Sequence, residues 1–75
     1  MKQVDRPTRV LTINEYLNKG ENFNLDTLAE MFNVSRRTIQ RDMDELKLYY
    51  ADKLTTDGTY HYIYYDHSNR AYRLI

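Results

Sequence analysis

The stretch from Phe23 to Leu46, FNLDTLAEMFNVSRRTIQRDMDEL, constrains this chain more than any other. It reads as two short helices joined by a tight turn. Phe23 is apolar, Asn24 can cap, and Leu28 follows at the fourth helical position, which is the pattern of a hydrophobic staple around an N-cap. A helix over about Leu25–Phe32 places Leu28, Ala29 and Phe32 on one face. Asn33 falls where the chain must turn, and asparagine tolerates the left-handed conformation better than most residues with a Cβ. Ser35 is the next N-cap, its hydroxyl placed to accept an amide proton from the following turn.

The second helix, from Arg36 to about Tyr49 or Tyr50, has two unlike faces. Ile39, Met43 and Leu46 form a stripe for the core. Arg37, Gln40, Arg41 and Asp44 lie opposite, with Arg36 at the edge. Arg37 and Arg41 are four apart, and such like-charge pairs weaken an isolated helix by about 0.2–0.5 kcal/mol. Folding gains nothing from that arrangement, whereas binding a polyanion does. Arginine suits phosphate and the O6/N7 edge of guanine, both of which it meets bidentately. The bland counterpart is a solvated basic face. Small Ala29, turn residue Asn33 and branched Ile39 have the relative spacing of a helix-turn-helix, in which two helices cross closely around a short turn.

The string LAEMFNVSRRTIQRDMDEL resembles the N-terminal DNA-binding domain of DeoR-type and WYL-type bacterial transcription regulators. Leu28, Ala29, Val34, Ser35, Thr38, Ile39, Arg41, Asp42 and Leu46 carry the match, and Arg37 stands where arginine is frequent. Asn33 departs from the glycine often found there. The resemblance implies sequence-specific binding of double-stranded DNA by a transcription regulator, with the helix from 36 to about 49 in the major groove. Arg37, Gln40, Arg41 and the edge residue Arg36 are then base or phosphate contacts, and Ser35 and Thr38 phosphate contacts. By the same resemblance YYDHSNRAYRL looks like a wing hairpin, which makes His67, Ser68, Asn69 and Arg70 wing contacts.

The flanking segments complete an α+β winged helix-turn-helix, three helices followed by a β-hairpin wing. Met1–Arg6 reads as a loose arm, either frayed or reaching into a neighbouring groove. Pro7 suits a first helical turn, and Val10, Ile13 and Leu17, with Tyr16 or Leu11 alongside, form a buried stripe before the stop at Gly20. Beyond Tyr50 the reading is a connector over Ala51–Lys53, a turn at Asp57-Gly58 that could carry an extra hairpin, and a strand from Thr59. On that strand Tyr60, Tyr62 and Tyr64 share one face, and His61, Ile63 and Tyr65 the other. A polar turn over Asp66–Asn69 leads to a second strand from Arg70 to Ile75.

Residues 1–75 are expected to form one domain, and a chain of this size buries only about 60% of its unfolded surface. It has no cysteine and no apolar run near the roughly 18 residues of a membrane span, which suits a cytoplasmic setting. Eleven basic residues balance eleven acidic ones, which argues against the usual basic footprint of a nucleic-acid binder. The distribution argues the other way, because Ser35–Arg41 holds three arginines and no acid.

Eight tyrosines admit three readings: cover for a thin core, a protein interface, or platforms for single-stranded bases. They motivate the alternative function, a winged-helix protein-interaction module such as an antagonist of another DNA-binding factor. A homodimer through the tyrosine-rich surface or the first helix also fits, as does a fragment of a larger regulator. No cofactor or metal is expected: His61 and His67 with Asp57 and Asp66 are too far apart along an extended strand to share an ion. Nor is catalysis, since neither Ser35 nor Ser68 has an orienting histidine and acid, and only Gly20 and Gly58 are available for a phosphate loop.

Overall fold

Side-chain caps set where each helix begins. In the computed structural model, which describes residues 4–75, α1 spans Arg6–Lys19, α2 Leu25–Phe32 and α3 Arg36–Asp57. The Asp5 carboxylate accepts the Thr8 amide proton and opens α1, with Pro7 in the first turn. Asn24 and Thr27 form a reciprocal capping box on α2, Asn24 Oδ1 accepting from Thr27 N at 2.9 Å and Thr27 Oγ1 from Asn24 N at 3.0 Å. Ser35 Oγ accepts from Thr38 N at 3.1 Å to open α3. Caps of this kind are worth about 1 kcal/mol each. Left-handed residues end the helices: Gly20 (φ 70°), Asn33 (φ 55°) and Gly58 (φ 75°).

Two strands follow, β1 Ile63–Asp66 and β2 Ala71–Leu74, paired antiparallel with Ile63 opposite Leu74 and Asp66 opposite Ala71. The molecule is an α+β winged helix-turn-helix: three helices and a hairpin wing. One core joins the layers. Ile13 and Leu17 of α1, Leu28 of α2, Ile39, Met43 and Leu46 of α3, and Ile63 of β1 are all buried in it. Phe23 sits at its edge, stacked on Tyr72 of β2, and the Phe23 carbonyl accepts the Tyr72 amide proton at 3.0 Å. Arg73 donates to the carbonyls of Gly20 and Glu21, both at 3.2 Å, so the α1–α2 loop is tied to the wing.

Several expected boundaries are corrected. The arm over Met1–Arg6 is shorter at its C-terminal end, because Asp5 caps and Arg6 begins α1; Met1–Gln3 lie outside the described residues. Tyr16, not Leu11, joins the α1 stripe, and Leu11 is exposed. The helix expected to end at Tyr49 or Tyr50 continues to Asp57, and Asp57-Gly58 is its C-terminal stop, not a hairpin turn. The same left-handed glycine serves either role. Thr59–Tyr62 is not part of a strand: the ladder begins at Ile63, with one flanking bond from Ile75 N to Tyr62 O. Arg70 belongs to the turn and not to the second strand, with φ 51°.

Candidate nucleic-acid interface

The N-terminal half of α3 presents its polar side away from the core. Ile39 and Met43 are fully buried, whereas Arg36, Arg37 and Arg41 are exposed and Gln40 is half-buried. Their partners separate them. Arg36 Nε meets Asp26 Oδ1 of α2 at 2.7 Å, and Gln40 donates to Asp44 at 3.0 Å. Neither Arg37 nor Arg41 forms an ion pair with any described residue. The Ser35 and Thr38 hydroxyls lie 3.0 Å apart, engaged in the cap.

Five acids are paired with bases away from this face: Glu15 with Lys19, Glu45 with Arg6, Asp57 with Lys53, Asp66 with Arg73, and Asp42 with Arg9. Two guanidiniums remain unmatched on the outer side of α3.

Arg9 and Asp42 are the feature that sequence reasoning missed. Arg9 Nε donates to Asp42 Oδ2 and Nη2 to Oδ1 at 3.2 Å, and both residues are buried. The hydrogen bond from Asp42 holds the Arg9 pKa above its ordinary value, with burial acting the other way. A signal existed: Arg9 lies four residues before Ile13 and eight before Leu17, on the inward stripe of α1, and Asp42 sits beside Met43.

At the wing, the turn between β1 and β2 is organised by Asp66. Its Oδ1 accepts the amide protons of Ser68 (3.0 Å) and Asn69 (3.3 Å), and its Oδ2 accepts from the Asn69 side chain at 2.7 Å. The Asn69 amide is therefore engaged within the turn. His67 rests edge-on against Tyr65, ring centres 4.9 Å apart. Arg70 lines an open cleft together with Asn24, Asp26, Arg36, Tyr65 and Tyr72. So the structure brings Arg36 of α3 and Arg70 of the wing turn to one cleft, and leaves His67, Ser68 and Asn69 on the turn.

A family model described as an HTH domain matches residues 9–63, from α1 to the first residue of β1. The chain belongs to that helix-turn-helix (HTH) domain family. No curated protein and no solved structure matched this HTH domain. Membership indicates DNA as the partner and transcription regulation as the process, in a family that is typically non-enzymatic. No helix among the described residues of the HTH domain is long and apolar enough to cross a membrane.

Proposed function

We propose that this HTH domain binds specific sequences in double-stranded DNA as a transcription regulator of the DeoR or WYL type, with residues 1–75 acting as one DNA-binding domain in the cytoplasm. The observation that carries the reading is the unmatched pair Arg37 and Arg41 on the outer side of the second helix of the motif. In this reading the first turns of α3 enter the major groove, Arg37, Gln40 and Arg41 meet base edges or phosphates, and Arg36 a phosphate. Ser35 and Thr38 lie along the backbone, and the wing follows with His67, Ser68, Asn69 and Arg70. Titrating a labelled duplex at about 50 and 200 mM salt tests it: four phosphate contacts predict a loss of about two orders of magnitude in affinity. Salt-insensitive binding, or none, contradicts it.

A second reading is a protein interface, alone or within a homodimer. It is favoured by the exposed row Tyr60, Tyr62 and Tyr64, whose neighbouring ring centres lie 5.7 and 6.0 Å apart, with Leu48 and Leu54 exposed on α3. Such a surface binds with little salt dependence and a negative heat-capacity change. Salt dependence separates the two, since phosphate-driven DNA binding weakens steeply with salt whereas association through an aromatic surface changes little.

A further inference from the structure

An apolar stripe by itself does not fix the rotation of a helix. Ile39, Met43 and Leu46 hold α3 to the core by burial, which is non-directional. A carboxylate held at both oxygens by a guanidinium is directional. Asp42 is 1% exposed and Arg9 7%, and the bidentate bond between them joins α1 to the inner flank of α3. Arg6 adds a contact to Asp42 at 3.5 Å and continues to Glu45, one helical turn further on, at 3.3 Å. Stability alone does not account for the arrangement, because a buried ion pair is commonly no more stabilising than apolar packing of the same volume.

Asp42 is the residue next to Arg41 on a single rigid helix, so its place determines where Arg41 and Arg37 point. A roll of about 20° moves a group 5–6 Å from the helix axis by about 2 Å. Hydrogen bonds to base edges tolerate about 0.5 Å. We propose that the Arg9–Asp42 pair is a positioning element for DNA reading, locking the rotation of α3 so that Arg37 and Arg41 meet base edges in register. The inference rests on the DNA reading above. It assigns Arg9 and Asp42 no contact with DNA; they act through the arginines.

The test is the double variant Arg9→Met/Asp42→Leu, compared with the unsubstituted chain for thermal unfolding and for affinity to a selected duplex and to a scrambled one. The expected result is a folded protein whose selected-to-scrambled ratio falls by about tenfold or more, the scale of one lost bidentate base contact, while affinity for scrambled DNA stays within about twofold. A folded double variant that keeps the ratio overturns the proposal. If the double variant does not fold, Arg9→Lys decides, since it keeps the charge and loses the two-point fork. A reduced ratio for Arg9→Lys then supports the pair's role, and an unchanged one overturns it. Absence of sequence preference in the unsubstituted chain is a separate result, which removes the DNA reading and this inference with it.

Discussion

Arg36 Nε stands 2.7 Å from Asp26 Oδ1, an exposed ion pair that links the first turn of α2 to the first turn of α3 across the tight turn. It sorts the three arginines in the first turns of α3. Arg36 is engaged by an acid, while Arg37 and Arg41 are not. An exposed pair of this kind contributes little to folding, because water screens it and two side chains must be ordered to make it. On the DNA reading proposed above, its consequence falls on binding: a phosphate must compete with Asp26 for Arg36.

Asp26→Asn therefore strengthens DNA binding. Removing the acid frees Arg36 and deletes a charge that repels phosphate, with a gain of about 2- to 10-fold and a salt slope steeper by about 0.9 for each new phosphate contact. Stability falls slightly, by about 0.5 kcal/mol, because Asp26 complements the α2 dipole. Salt titrations and urea unfolding of the two proteins measure both; unchanged affinity shows that Arg36 does not reach the backbone.

Arg70→Gly separates stability from binding. Arg70 holds φ 51°, a conformation that costs a side chain about 1 kcal/mol and glycine almost nothing. The variant is expected to be more stable by about 0.5–1 kcal/mol, yet to bind DNA more weakly with a salt slope shallower by about 0.9. A more stable protein with unaltered binding makes Arg70 a turn residue only.

The wing turn gives a pH signature. Hydrogen bonds from Asn69 hold the Asp66 carboxyl below its ordinary 3.8, with the Ser68 amide and Arg73 acting the same way. A depressed carboxylate contributes stability that is fully present above the unfolded value, and it is lost as pH falls through the lower folded value. Asp5 and Asp57, lowered by Thr8 and Thr59, act in the same window. Asp66→Asn should be less stable than the unsubstituted chain at pH 5–7, and the gap should close below 3.8 as the carboxyl protonates. A gap that persists undiminished at low pH places the contribution elsewhere.

What was legible in the sequence is what local chemistry encodes. The Asn24 cap between buried Phe23 and Leu28, the left-handed Asn33, the Ser35 cap and the Ile39–Met43–Leu46 stripe each follow from residues within one or two turns of one another, and all are present. The length of α3 was not legible, because beyond Tyr50 its apolar residues stop repeating on one face and Gly58 suits a turn as well as a helix stop. The strand from Thr59 was over-read because alternation reports a preference and not a partner, and β2 pairs only from Ile63 onward. Arg9 and Asp42 are 33 residues apart, so nothing local links them. In the candidate site, sequence could mark the arginines but not the acids that engage them: Asp26 on Arg36 is a contact between helices.

The central claim is that Arg37 and Arg41 read DNA sequence, and selection from a randomised duplex pool tests it most directly. Bound duplexes would be sequenced for the unsubstituted chain and for Arg37→Ala and Arg41→Ala. The account predicts one enriched motif for the unsubstituted chain. At least one alanine variant should lose preference at a defined base position, with about 1–3 kcal/mol less affinity for the original motif and folding stability within about 0.5 kcal/mol. No enriched motif, or the same motif at the same strength from both variants, would contradict it and point to the tyrosine row as the working surface.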